Sequence, residues 1–153
     1  MPATLPRRAR GSGATLAELM VVLAIVGLLA SMVLPSLARI HDGLMVRGAA
    51  NEVMMAFFAA RSRAIDDARL TTVVLDGVAG RVAIVARGET LLARPVAASR
   101  GVTLSASRPT AAYFPDGLGL GGANLTVVLS RGAAAETVLV SREGRVRLGG
   151  RGR

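Results

Sequence analysis

Glu18 is the only charged residue between Arg10 and Arg39, and it stands near the start of the run ATLAELMVVLAIVGLLASMVLPSL that begins at Ala14. A carboxylate in an apolar helix costs roughly 2.5–3.5 kcal/mol at the middle of a membrane and less near its interface, so such a group usually has a partner. Were the chain cut between Gly13 and Ala14, the new α-amino group would lie on Ala14, four residues before Glu18. The ammonium of a neighbouring copy could then pair with this carboxylate inside a helical bundle. Association would remove a cost that each chain bears alone in lipid. The chemistry on offer is ion pairing between subunits.

A second group of residues could bind phosphate. Gly144-Arg145-Val146-Arg147, followed by Leu148-Gly149-Gly150-Arg151-Gly152-Arg153, sets four arginines in a glycine-rich end. Guanidinium forks suit phosphate oxygens, and several close together give salt-dependent, sequence-independent affinity for nucleic acid. The plainer reading is a last strand on which Val146 and Leu148 face a core while Arg145 and Arg147 face water.

Other patterns carry less. Gly117-x-Gly119-x-x-Gly122 matches a dinucleotide fingerprint in form, but the 125–130 segment after it alternates like a strand, so the glycines read as a hairpin or loop. The chain has no lysine, which excludes a lysine-bearing phosphate loop, and His41 is its single histidine, which excludes a histidine metal cluster. Asp66-Asp67 reads as a solvated helix end, because an oxygen site for calcium needs more ligands than two adjacent acids. Met54, Met55, Phe57 and Phe58 read as core packing. Asn124-Leu125-Thr126 is a sequon in form only. No catalytic constellation and no cofactor site emerge.

The elements that must hold these residues follow from composition and periodicity. At 153 residues, with 52% hydrophobic residues and a mean hydropathy of +0.49, the chain suits one modest domain plus a membrane segment. The 19–38 stretch supplies about the twenty residues that a spanning helix needs. Arg7, Arg8 and Arg10 precede it, which places the amino end in the cytoplasm and the bulk of the chain outside. All nineteen basic residues are arginine; without residues 1–13, sixteen arginines face ten acids, for a net charge of about +6. The absence of cysteine excludes disulfides, and aromatic residues at 3% argue against a base-stacking surface.

Apolar residues continue past Pro35 at helical spacing: Leu37, Ile40, Leu44, Met54, Phe57, Phe58 and Ile65. One long helix over 14–67 is expected, bent at Pro35 and loosened near Gly43 and Gly48, with an amphipathic second half. Strands are expected over 71–75, 81–86, 90–96, 102–106, 111–114, 125–130, 137–141 and 145–148, separated by turns such as Asp76-Gly77 and Glu143-Gly144. The fold class is therefore α+β, a long amino-terminal helix packed on antiparallel sheets.

Gly13-Ala14-Thr15-Leu16-Ala17-Glu18-Leu19-Met20-Val21-Val22 resembles the prepilin signal of type IV pilins and type II secretion pseudopilins. That resemblance implies cleavage after Gly13 by a membrane prepilin peptidase, methylation of the new amino terminus on Ala14, an assembly role for Glu18 as the fifth mature residue, and a helix kink at Pro35, the twenty-second. Ala14 and Ala17 stand where the family commonly has phenylalanine and isoleucine. An ordinary signal peptide would lack Glu18, and a plain single-pass anchor would not explain the Gly13–Glu18–Pro35 spacing.

Tyr113-Phe114-Pro115-Asp116-Gly117, Gly121-Gly122, Val138-Leu139-Val140-Ser141 and Gly144-Arg145-Val146-Arg147 resemble the H-type minor pseudopilins of type II secretion, a domain family that includes the FimT-type minor pilins. The resemblance implies a pilin-like, non-enzymatic subunit that joins other pseudopilins or pilins in a filament based on the inner membrane. Its parts would be a leader at 1–13, a transmembrane helix at 14–38, its amphipathic continuation at 39–67, a periplasmic β domain at 68–148 and a flexible tail at 149–153. Likeness to the FimT type implies, as an alternative, contact with DNA through Arg145, Arg147, Arg151 and Arg153.

Overall fold

The computed structural model describes residues 15–120 and 124–149. The chain divides into two units, Met1–Leu37 and Ala38–Arg153. One helix, α1 (Leu16–Asp66), contributes to both.

The described part of the first unit is helix alone. Its large apolar side chains, from Leu19 to Leu37, each expose more than half of their surface. No side chain in this stretch has a protein core to enter, and α1 is long and apolar enough to cross a membrane. Pro35 sits inside α1, where it offers no amide proton to the turn before it.

In the second unit, α1 buries Val46, Ala49, Ala50, Val53, Phe57, Ala60 and Ala64. These residues recur every three or four positions and form one stripe. The stripe differs from the expected one. Of the large residues assigned to it, only Phe57 is fully buried; Ile40, Leu44, Phe58 and Ile65 are exposed, as is Met55. The physical reason is size. Alanine at four of the seven buried positions lets the strand layers approach the helix closely, and bulky residues on the adjoining face are left outside. Gly43 and Gly48 do not interrupt the helix.

The strands are β1 (Thr71–Asp76), β2 (Arg81–Ala86), β3 (Glu89–Arg94), β4 (Thr103–Ala106), β5 (Thr110–Tyr113), β6 (Gly119–Leu120), β7 (Leu125–Arg131), β8 (Ala134–Val140) and β9 (Val146–Gly149). They pair in two sheets, β3-β2-β1-β5-β6 and β4-β7-β8-β9. All the pairings are antiparallel. Alternation puts Val73, Leu75, Ile84, Val127, Leu129 and Val138 into one core with the α1 stripe. The expected α+β architecture is the observed one.

Most strand ends lie a residue or two from expectation, β8 begins at Ala134 rather than at residue 137, and the two-residue β6 was not expected. β3 stops at Arg94 because Pro95 cannot donate to the ladder. Val96 and Ala97 are instead buried ahead of a short 3-10 turn, Ala98–Arg100. On β9, Val146 packs against the core but Leu148 is exposed, so the expected inward pair is half right.

Candidate functional site

Thr15 and Glu18 close the amino end of α1 on itself. The Thr15 amide donates to Glu18 Oε2 at 3.4 Å, and the Glu18 amide donates to Thr15 Oγ1 at 3.2 Å. The carbonyl of Thr15 accepts the first intrahelical bond, from the Leu19 amide, at 3.1 Å. Thr15 is thus the N-cap and Glu18 the third helical residue, the reciprocal arrangement of a capping box. The Thr15-x-x-Glu18 spacing announces this in the sequence, beside the intersubunit partner expected for Glu18.

The capping box changes the energetics of that acid. Two of the orphan amides that every helix start leaves are satisfied, and the negative charge lies at the positive end of the helix dipole. Glu18 therefore has a role within its own chain. Its carboxylate keeps acceptor capacity beyond the one long bond, since an ionised carboxylate has about four lone-pair sites. Gly13 and Ala14, the expected cleavage and methylation positions, lie outside the described residues.

The carboxyl-terminal arginines are divided. Arg145, at the β8–β9 turn, and Arg147, on β9, are both exposed. They line a groove of about 480 Å³ with Asn124, Leu139, Val140, Ser141 and Val146. Arg145 Nη2 also bonds Glu143 Oε2 at 2.8 Å, an exposed pair of the kind that contributes little. Arg151 and Arg153 lie outside the described residues.

A second set of charges fixes the β domain to α1, and no local pattern in the sequence signals it. Arg100 Nη2 meets Glu52 Oε1 at 2.6 Å, and Arg131 Nε meets Asp42 Oδ1 at 2.8 Å. The two links are joined, because Arg131 Nη1 also donates to the carbonyl of Arg100. Gly48 makes room for the first: a methyl there would lie 3.2 Å from Arg100 Nε. The acids are 10 residues apart in the sequence, about 15 Å along the helix.

The remaining candidates are locally engaged. Ser62 Oγ donates to Asp66 Oδ2 at 3.0 Å, and Asp67 lies 3.9 Å from Arg69 Nε. His41 Nδ1 is 4.0 Å from Asp42 Oδ1. Among the described residues, no three histidine, cysteine, aspartate or glutamate side chains group as a metal site. Gly119, from the glycine-rich run, pairs with Tyr113 as part of β6, and no helix follows.

A long helix with an apolar first half, and a second half buried against two antiparallel sheets, is the fold of pilin-like subunits. The type IV minor pilin FimU of Pseudomonas aeruginosa has the same fold: in one crystal form the TM-score is 0.59 at 16% identity, over 68% of this chain and 87% of FimU. The minor pseudopilin EpsH, from the type 2 secretion system of Vibrio cholerae, superposes with a TM-score of 0.57 at 14% identity, over 68% of this chain and 95% of EpsH. No curated protein sequence matches the chain. Residues 49–144 match the family described as type II transport protein GspH, and the chain belongs to that family. The matched residues begin beyond the Gly13–Glu18–Pro35 spacing, so the two likenesses rest on different parts of the chain.

Proposed function

We propose that this chain is a minor pseudopilin, a structural subunit of a type II secretion pseudopilus and not an enzyme. A prepilin peptidase removes residues 1–13, and the new terminus on Ala14 is methylated. The 14–38 segment holds the subunit in the inner membrane with its amino end cytoplasmic. The 39–67 continuation carries the 68–148 domain in the periplasm. The subunit joins other pseudopilins near the filament tip and serves protein export.

The observation that carries this reading is Glu18, an acid at the start of a helix whose following large side chains are apolar and exposed. Its capping bonds account for one carboxylate oxygen, and the trimmed amino terminus of an adjoining subunit is a fitting partner for the rest. Membership of the GspH family supports the secretion role independently.

The test is co-expression with a prepilin peptidase and partner pseudopilins, scoring cleavage by gel shift and incorporation by recovery in sheared filaments. Glu18→Ala is expected to be cleaved normally and to be depleted from filaments. Normal incorporation of the variant would refute the pairing.

The exposure of Arg145 and Arg147 along one groove favours a second reading, a minor type IV pilin that contacts DNA during uptake. Arg151 and Arg153, outside the described residues, add two further positive charges to this end of the chain. Under this reading a low-salt mobility shift is expected, lost in the Arg145→Ala, Arg147→Ala double variant. No shift at low salt would remove it.

A further inference from the structure

We propose that the free edge of β3, with the groove beside it, binds an extended segment of a partner protein in which an acidic residue stands two positions before an apolar one. Every residue involved belongs to the second unit, and the binding is independent of the secretion reading.

Among the described residues β3 pairs with β2 alone and so ends its sheet. Its residues are exposed except Leu92, which is half-buried. The backbone groups of such an edge can receive another strand. Ala86 and Glu89 flank the two-residue turn Arg87-Gly88, whose φ values are +53° and +82°. They therefore form a hydrogen-bonded pair, and Thr90, the next residue, points its amide and carbonyl to the free edge. Leu91 has no ladder partner, because the register shifts by one residue there. The next backbone to face outward is that of Ala93. A bulge keeps a long regular strand from lying along the whole edge. What fits is a short segment paired at Ala93.

Side-chain chemistry fixes what that segment carries. Leu92 and Arg94 pair with Ile84 and Val82, both buried, and so lie on the sheet face that meets α1. With Glu52, Met55 and Ala59 of α1 they line a groove of about 240 Å³. Met55 is 64% exposed there. The groove is apolar apart from two charges, Glu52 and Arg94. Glu52 is taken by Arg100 at 2.6 Å, whereas Arg94 forms no ion pair among the described residues. The unmatched charge is positive and calls for a carboxylate. Every pairing in this domain is antiparallel. In a segment that follows suit, the residue opposite Ala93 points away from α1. The one before it meets Arg94, and the one after it drops beside Leu92 into the groove. The order is acid, any residue, apolar.

The chain contains no cysteine, so disulfide trapping can read this register. Residues across a hydrogen-bonded pair lie about 5.5 Å apart between Cα atoms, within the range of a disulfide. The full chain carrying Ala93→Cys, in phosphatidylcholine nanodiscs, is equilibrated in a thiol buffer with the peptide Ser-Glu-Cys-Leu-Ser, blocked at both ends. Adducts are counted by intact mass. Capture is expected to exceed that of the peptide with Gln for Glu by about two- to five-fold, and that of the peptide with Asn for Leu by about ten-fold. The reversed peptide, Ser-Leu-Cys-Glu-Ser, should be captured no better than these controls. Arg94→Glu should invert the charge preference toward Ser-Lys-Cys-Leu-Ser. Ala59→Leu, which fills the groove, should abolish the preference for leucine and keep that for glutamate. Equal capture of all the peptides overturns the proposal, as does a glutamate preference that survives Arg94→Glu. Loss of the leucine preference to octanoate below its micelle concentration also overturns it, because the groove would then belong to an acyl chain.

Discussion

Thr15 and Glu18 exchange two hydrogen bonds, amide to carboxylate and amide to hydroxyl, at 3.4 and 3.2 Å. The same carboxylate that is proposed to receive a neighbour's ammonium thus also caps its own helix. Glutamine closes a capping box as glutamate does, which separates the two roles. Glu18→Gln is expected to keep amide protection at residues 16–20 in hydrogen exchange and yet to be depleted from filaments. Glu18→Ala is expected to lose both, with the helix start weakened by about 0.3–1 kcal/mol. Full incorporation of the glutamine variant would mean that charge is not what the filament uses.

The Arg100–Glu52 pair, at 2.6 Å and about one-third exposed on each side chain, predicts a measurable coupling between the helix and the 3-10 turn. A double-mutant cycle with Arg100→Ala and Glu52→Ala should give about 1 kcal/mol of interaction by thermal or denaturant unfolding, the upper end of the surface range, since both side chains are largely shielded from water. Additive single effects would show that the pair is held there by packing alone.

Tyr113 predicts an alkaline transition. Its hydroxyl and that of its ladder neighbour Thr71 are buried with no hydrogen-bond partner among the described residues. Burial pushes the phenol up from 10.0 to about 12, with Arg61 pulling slightly the other way. The folded value lies above the unfolded one, so this contribution to stability is complete below pH 10.0 and is lost as pH rises toward 12. Tyr113 is the only tyrosine and there is no tryptophan, so tyrosinate absorbance reports this residue alone. Its midpoint should lie well above the free value and coincide with loss of the domain's circular dichroism. Tyr113→Phe should remove this alkaline loss without lowering stability at neutral pH, because an orphan hydroxyl goes with it.

Gly144 is held between the Gly117 backbone and the Tyr113 ring. Its φ is +76°, and a methyl there would lie 2.8 Å from the carbonyl oxygen of Gly117 and 2.9 Å from Tyr113 Cε1. Gly144→Ala is expected to destabilise the domain by more than about 1 kcal/mol, seen as a lower Tm. An unchanged Tm would show that the β8–β9 turn can move away from β5.

Much of this architecture was legible in residue order. Apolar length and the Glu18 position marked the helix, and β2 emerged with its full span because the short apolar run from Val82 to Ala86 lies between the turn signals Asp76-Gly77 and Arg87-Gly88. The buried face of α1 was misjudged because hydrophobic size drew attention to Leu44, Phe58 and Ile65, whereas Ala49, Ala50, Ala60 and Ala64 are what the sheets pack on. Alanine carries almost no hydropathic signal, yet it decides how near two layers come. The Asp42–Arg131 and Glu52–Arg100 links join residues 89 and 48 apart, so no local pattern could reveal them. The capping box is visible as Thr15-x-x-Glu18, a local pattern of the same residue that also suits an external partner.

The account depends most on a free amine at Ala14, and intact mass with amino-terminal sequencing of membrane-extracted protein tests it directly. In cells with an active prepilin peptidase the mature chain should begin at Ala14, lighter by residues 1–13, with methylation read from the same spectrum. A chain that keeps its first thirteen residues beside an active peptidase would contradict it, because the ammonium proposed to meet Glu18 would never be made.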